Sequence, residues 1–535
     1  MVWLRAAKLR LSPQPLKPKA DPLRLILAFL LAASSANAQT HFTETTTSGI
    51  DNRYTGDWQY MVGGGVATFD CNGDGFEDVY LAGGEGPAGF YRNLSHIGGA
   101  IKFERLDNGL NFQGVTGAYP IDIDGDGILD LAILRVGENL LMRGTGDCHF
   151  SRANEDWGFD GGDGWSTAFA ATWEKGADWP TLAIGNYIDR TQDAFPWGSC
   201  TDNWLHRPDG SRFAPPLALK PSYCALSMLF TDWNNSGEPS LRVSNDREYY
   251  KGGQEQLWHL APHEPPRLYT LAEGWAKLQI WGMGIAEADL NADGLPEYFL
   301  TSMADNKLQN LNNSEGKPAY TDVALAHGVT AQRPYTGGDV RPSTAWHSQF
   351  EDVNNDGRDD LFIAKGNVAE MPDFARQDPN NLLIQQPDGS FTEQGEAAGV
   401  ASMQTARGAA LADFNKDGKL DLLVVNRWNP AQIWKNDTPD AGGFLMLDVT
   451  EPGPNHHAIG AVIEVKTKAG LQRKTLAIGG GHASGQLGWR HFGLGNAATA
   501  QLRVIWPDGQ TDAWQSLPAN GFYRIEKGHP TIAIP

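Results

Sequence analysis

Seven times along this 535-residue chain, an apolar strand runs into a short acidic loop, and the loops recur every 50 to 63 residues. In five copies the loop reads D-x-[DN]-x-D-G-x-x-[DE], starting at Asp70, Asp122, Asp289, Asp352 and Asp413. Each is followed by an apolar run such as Leu422-Leu423-Val424-Val425. Two copies have decayed: Asp232 to Gly237 keeps the turn but has Ser240 at the ninth position, and Thr172 to Thr181 keeps only the frame. A period of this length requires a repeat architecture in which each unit buries its apolar face against the next.

Between loops the pattern is strand, acidic turn, strand, polar hairpin and outer strand, with no long 3.6-residue periodicity. About four short strands per repeat is the signature of a propeller blade. The expected fold is all-β, a seven-bladed β-propeller over 39–440 followed by a small β domain over 441–535. The seventh repeat lacks an outer strand after Gln432-Ile433-Trp434-Lys435-Asn436, whereas His41-Phe42-Thr43-Glu44 carries the outer-strand pattern with no blade before it. Residues 41–45 are therefore expected to close the ring and remove two exposed sheet edges.

The acidic loops have the chemistry of a calcium site. Calcium takes six to eight oxygens at ~2.3–2.6 Å, and oxygens at alternate positions of a tight loop converge on one point. The candidate ligands are Asp70, Asn72, Asp74 and Asp78; Asp122, Asp124, Asp126 and Asp130; Asp289, Asn291, Asp293 and Glu297; Asp352, Asn354, Asp356 and Asp360; and Asp413, Asn415, Asp417 and Asp421. Glycine at position six permits the bend, and about five structural calcium ions are expected. A single loop of this composition is also an ordinary solvated turn. Five in register favour metal.

The net charge is −21, and residues 1–38 hold a net +5, so a chain cut there carries −26. Such a surface repels nucleic acid and anionic membrane. Residues 1–38 read as a signal peptide: six basic residues from Arg5 to Arg24, apolar Leu25 to Ala33, then Ala36-Asn37-Ala38 before Gln39. Nine apolar residues are too few to span a bilayer, which takes about 20. The expected location is periplasmic or secreted, with no transmembrane segment after cleavage. Four cysteines suit that compartment. Three pairings are formally possible. Cys200 with Cys224 is favoured because both lie in one irregular Pro- and Trp-rich stretch, which leaves Cys71 with Cys148 by elimination.

These loops resemble FG-GAP repeats, also called VCBS repeats, of integrin α-subunit propellers and many secreted bacterial proteins. His457-Ala458-Ile459-Gly460-Ala461, Gly479-Gly480-Gly481-His482-Ala483-Ser484, His491-Phe492-Gly493-Leu494-Gly495 and Val504-Ile505-Trp506-Pro507-Asp508-Gly509 resemble the ASPIC and UnbV domain. The pair is the arrangement of cartilage acidic protein and its bacterial relatives. The resemblance implies a calcium-binding propeller used for binding or cell adhesion. The two decayed loops depart from it, and the EGF-like tail of some animal relatives is missing.

Five residues before each loop stand Gly65, Gly117, Thr167, Ser227, Gly284, His347 and Gly408, six of them small. Crowding of the innermost strands at the ring axis gives small residues a steric reason. His347, beside Trp346 and at the level of Arg407 and Trp281, is the weak candidate for a catalytic or ligand site at a channel mouth; packing in the core is the plainer reading. His456, His457, His482 and His491 lie beside Gly-rich turns and lack helical ligand spacing, which favours structural turns over a transition-metal site. Nucleophile elbows, phosphate loops and dinucleotide fingerprints are absent from the sequence. The leading expectation is a secreted calcium-dependent binding module for an extracellular or periplasmic glycan or protein. The alternatives are a carbohydrate or small-molecule lyase or hydrolase, and a component of a surface or secretion assembly.

Overall fold

The computed structural model describes residues 39–192, 199–246, 253–312 and 316–535. Residues 1–38, expected from the sequence to be a signal peptide, lie outside the described residues.

The strands resolve into seven four-stranded antiparallel units. Their innermost strands are Val66–Phe69, Val115–Ile121, Gly164–Thr172, Ala225–Thr231, Gly282–Ala288, Ala345–Glu351 and Thr405–Ala412. Each packs beside the next, and Thr405–Ala412 packs beside Val66–Phe69, which closes the ring. Blades two and three are also joined edge to edge, through Gly164 opposite Gly137 and Trp165 opposite Val136. The innermost strands are almost wholly buried on both faces, which is why they read as continuous apolar runs instead of alternating ones.

Blade seven is made from both ends of the ring. Thr405–Ala412, Asp421–Arg427 and Gln432–Asn436 supply three strands, and Phe42–Glu44 is the fourth, with Phe42 opposite Asn436 and Glu44 opposite Trp434. Phe42 is buried in a cluster with Leu382, Leu422 and Trp434 that spans blades six and seven.

After Asn436 the chain forms two further four-stranded sheets. One orders Arg490–Gly495, Gly443–Thr450, Gly521–Glu526 and Ile532–Ile534; the other orders Leu471–Thr475, Val462–Lys466, Thr499–Ile505 and Gln515–Pro518. They share one buried core that includes Leu447, Ile463, Val465, Phe492, Leu502 and Trp506.

Two disulfides, Cys71–Cys148 and Cys200–Cys224, account for all four cysteines. Among the described residues, no helix is long and apolar enough to cross a membrane.

Candidate functional site

The acidic loops share one hydrogen-bond scheme. The first-position carboxylate folds back and accepts the backbone N–H of the glycine at position six: Asp70 from Gly75 at 2.7 Å, Asp122 from Gly127 at 3.0 Å, Asp289 from Gly294 at 2.9 Å, Asp352 from Gly357 at 2.6 Å and Asp413 from Gly418 at 2.7 Å. Decayed Asp232 does the same with Gly237 at 2.7 Å. All six glycines have positive φ, between 77° and 92°. Position four is left-handed too, although Ala292, Asn355 and Lys416 occupy it in three of the full loops.

The ninth-position acid is a strand clamp. One oxygen accepts the N–H of position two: Asp78 from Cys71, Asp130 from Ile123, Glu297 from Leu290, Asp360 from Val353 and Asp421 from Phe414. In four loops the other oxygen accepts an N–H at the third strand of the blade: Asn93 to Asp78 and Gly144 to Asp130 at 2.8 Å, Gln385 to Asp360 and Asn436 to Asp421 at 2.9 Å. In the fifth, Glu297 instead accepts the side-chain amides of Asn291 and Asn310.

Burial of these clustered carboxylates raises their pKa, and neighbouring acids of the same loop raise it further. Asp78, Glu297 and Asp413 are pushed to about 7 and Asp130 to about 8, while Asp352, Asp360 and Asp421 lie well above the usual range. Oxygens of Asp122, Asp124 and Asp130 all lie within 4.8 Å of one another. Basic side chains offset part of this charge: Arg143 on Asp124 at 2.9 Å, Arg358 on Asp356, and Lys419 and Lys435 on Asp417 at 3.5 and 3.7 Å. Hard oxygen donors, mutual repulsion and a fixed turn together fit a hard divalent cation. Blade three has substituted an ion pair, with Glu174 accepting Arg207 at 2.6 Å and Thr181 at 2.7 Å. In blade four, Ser240 at position nine meets only the Tyr269 hydroxyl at 3.3 Å.

The ring axis is filled by the chain itself. The segment Ile478 to Leu487 of the C-terminal region runs through the centre and touches every blade. Ile478 bridges Ala171, Gly480 N–H donates to Met228 at 2.6 Å, Gly481 N–H donates to Ile285 at 2.7 Å, and Gly485–Gln486 pairs parallel with Ala67 and Thr68. Ser484 bridges Ala118, and Gln486 donates to the Leu411 carbonyl at 3.0 Å. A Cβ at Gly65 or Gly117 would collide with the Ala483 carbonyl, and one at Gly408 with Ser484 Oγ. Gly65, Gly117 and Gly408 therefore make room for this inserted segment, whereas a Cβ at Gly284 would first meet the Trp346 carbonyl of the next innermost strand and Thr167 donates to the Ala225 carbonyl, which is the crowding between innermost strands expected from the sequence.

His482 sits at the centre of the plug. Its Nε2 accepts the Gly63 N–H at 3.1 Å, its Nδ1 faces the Met283 carbonyl at 3.1 Å, and its backbone N–H donates to His347 Nδ1 at 3.2 Å. Only the neutral imidazole, with the proton on Nδ1, satisfies both ring contacts. The open channel-mouth site around His347, Arg407 and Trp281 is accordingly corrected. His347 is 4% exposed. Arg407 is fully buried, stacks over Trp346 at 4.0 Å, and donates to the carbonyls of Met61, Ala406, Asn367 and Val368. The Trp346 ring lies 5.1 Å from that of His482, and Trp281 packs edge-on against Phe374 at 6.4 Å. These residues brace the interior. Sequence reasoning missed the role of Gly479–Ser484, which it read as turns; its signal was the small residues in register, which were attributed to crowding among the innermost strands.

Of the remaining histidines, His456 and His457 lie edge to face at 5.2 Å, and His491 stacks on Phe444. Among the described residues, the ligand groups that gather closely are Asp122, Asp124 and Asp130; Asp78 also lies beside Cys71 and Cys148, but these are joined in a disulfide, and neither group includes a histidine.

A closed ring of four-stranded units, with this nine-residue acidic turn after the first strand of five of them, defines a propeller of the FG-GAP type. Family profiles agree: the FG-GAP-like repeat matches residues 70–133 and 352–424, and ASPIC and UnbV matches 451–531, the stretch containing the plug. Residues 70–133 and 352–424 are FG-GAP-like repeats, and 451–531 are an ASPIC and UnbV domain. The chain is similar to cartilage acidic protein 1 of Mus musculus, at 24% identity over 234 residues, 43% of this chain and 34% of that protein. It is also similar to cartilage acidic protein 1 of Homo sapiens, at 35% identity over 143 residues, 26% of this chain and 18% of that protein. The chain thus spans about a third or less of the length of these relatives. Among solved structures, BBS1N in complex with ARL6DN aligns with a TM-score of 0.43 at 10% identity, over 74% of this chain and 97% of that one. An Agrocybe aegerita lectin specific for non-reducing terminal N-acetylglucosamine aligns with a TM-score of 0.31 at 15% identity, over 75% and 92%.

Proposed function

We propose that the protein is a secreted, calcium-stabilised module that binds a glycan or protein partner, with a propeller over 39–440, an ASPIC and UnbV domain over 441–535 and a leader over 1–38. One observation supports it most: the axis, where propellers commonly place small-molecule chemistry, is occupied by Gly479–Ser484, and His347 is committed to His482. Partner recognition then falls to the loop surfaces. The two disulfides suit an oxidising compartment outside the cytoplasm.

On the face away from the acidic loops, Trp428 is 43% exposed under the Arg427 guanidinium, and Trp58 is 36% exposed against Trp165. Arg427 also donates to the carbonyls of Gly56 and Asp57, which ties the two aromatic positions together. Exposed tryptophans on a rigid support suit stacking against sugar rings or anchoring in a protein partner. Calcium in the five full loops would bind the carboxylates at positions one, three, five and nine and stiffen the opposite face.

The test is a glycan and protein binding screen of the mature chain, in calcium and in chelator, with Trp428→Ala alongside. Binding that needs calcium and is lost in the variant supports the proposal. Turnover of a carbohydrate or small molecule by the purified chain would move the assignment to an enzyme.

A further inference from the structure

The five full acidic loops do not share one environment. In the loops of blades one, two and five the fifth-position acids Asp74, Asp126 and Asp293 are exposed. In blades six and seven the side chains at that position, Asp356 and Asp417, are only 18% and 13% exposed, and third-position Asn354 and Asn415 are buried. Much of the cover comes from the C-terminal domain. Over blade six, Gly442 and Gly495 donate backbone N–H groups to the Asn354 and Asn355 carbonyls at 3.2 and 2.8 Å, and a Cβ at Gly493 would overlap Asp352 Oδ2. Over blade seven, the Phe444 ring fills the space that a Cβ at Gly418 would need. One acceptor beneath this cover is unmatched. Asn415 is fully buried, its Nδ2 donates to the Gly99 carbonyl at 2.8 Å, and its Oδ1 has no hydrogen-bond partner. A buried amide oxygen is costly to leave unpaired, and this one stands at a ligand position of its loop.

We propose that the C-terminal domain locks calcium into the loops of blades six and seven, so that these two ions leave only when the domain lifts from the ring. The ions of blades one, two and five exchange directly with solvent. This inference rests on the calcium reading of the proposed function. An ion in an enclosed site must wait for local opening, whereas one with a solvent-facing ligand is released without it. Lifting is demanding here because the same domain carries the plug, whose contacts with Met228 and Ile285 at the axis must break as well. Linkage is reciprocal: the domain that retains the two ions is itself held down by them. The rival account is that basic side chains replace metal in these loops, since Arg358 pairs with Asp356, and Lys419 and Lys435 with Asp417.

The test counts calcium on the full mature chain, loaded and freed of excess metal, as a function of time after mixing with chelator. Five ions should be present at the start; three should leave in a fast phase, and two should stay bound about a hundredfold longer. Asp126→Ala should take one ion from the fast phase. Phe444→Ala, which uncovers Gly418, should move one retained ion into the fast phase with the total unchanged, and Asn415→Ala should delete one retained ion. Thermal melts establish that each variant is folded, and Asn415→Ala alone decides if Phe444→Ala is not. Uptake of only three ions, none of them retained, overturns the proposal in favour of the basic side chains. It is equally overturned if five ions leave in a single phase, if folded Phe444→Ala still retains two, or if Asn415→Ala depletes the fast phase instead. Uptake of no calcium at all overturns the calcium reading and this inference with it.

Discussion

The backbone N–H of His482 donates to Nδ1 of His347 across 135 positions of sequence, at 3.2 Å, in the sealed axis of the ring. Burial depresses His347 to about 4 and His482 to about 3, from 6.5 in the open chain. A lowered folded pKa means the unfolded chain binds more protons, so stability is fully present above 6.5 and is lost as pH falls toward 4. Each ring contributes roughly 1.4 kcal/mol per pH unit in that window. Loop carboxylates have raised values and act with the opposite sign, so parent and variant are to be compared in saturating calcium. His206, His457 and His491 are depressed by burial in the same way, so His482→Gln, which keeps a donor for Met283 and an acceptor for Gly63, should remove about a fifth of the histidine-linked slope in urea denaturation at pH 4.5 to 7.

Gly65 has no space for a side chain because the Ala483 carbonyl occupies it. Gly65→Ala should displace the plug and cost about 3 kcal/mol, near the upper end of overpacking effects. Limited proteolysis should then cut within Gly479–Ser484, a segment protected in the parent.

Metal removal should lower the melting temperature, since a ligand held only by the folded state stabilises it. Variants separate the two roles of the loop acids. Asp126→Asn keeps an acceptor for Ile128 N–H and should cost stability in calcium but little in chelator. Asp421→Asn breaks the clamp to Phe414 or Asn436 and should cost about 1–3 kcal/mol in either condition. Equal chelator sensitivity of the parent and a chain lacking all five ninth-position acids would remove calcium from the account.

Ala292 occupies a left-handed position with φ of 57°. Ala292→Gly should raise stability by about 1 kcal/mol, seen as a higher urea midpoint. Lys416, at the same position of its loop, would show less gain, because its ammonium lies over the rings of Phe76, Trp489 and Phe522.

Reduction should destabilise the chain through both disulfides. By loop-closure entropy, the 77-residue separation of Cys71 and Cys148 is worth about 4.5 kcal/mol and the 24-residue separation of Cys200 and Cys224 about 3.5 kcal/mol. Cys71→Ala/Cys148→Ala should therefore lower the denaturation midpoint more than the other pair.

The acidic loops were legible because their chemistry is local: nine consecutive residues contain the turn, the clamp and the donors. The repeat period, set by the same motif, made the all-β ring legible as well. Position four was not, since Ala292 and Lys416 carry no sign of left-handed backbone. The plug was not legible either. Its contacts span 75 to 419 positions, from Gln486 with Leu411 to His482 with Gly63, and a Gly-Gly-Gly-His-Ala-Ser string looks like an ordinary turn until its surroundings are known. His347 stood out for being large among small residues. The cause is a histidine partner from another domain, where sequence reasoning looked for an external ligand.

The pairing of Phe42–Glu44 with Gln432–Asn436 sets a timetable for synthesis. His41 N–H finds Thr438 Oγ1 397 positions later, so an early edge waits unpaired while nearly all of the ring is made. Contacts of such long range are slow to form and leave the incomplete chain open to aggregation. A ribosome that stops before Gln432 releases a product with an open sheet edge and an unfilled axis, a form that quality-control proteases are equipped to recognise.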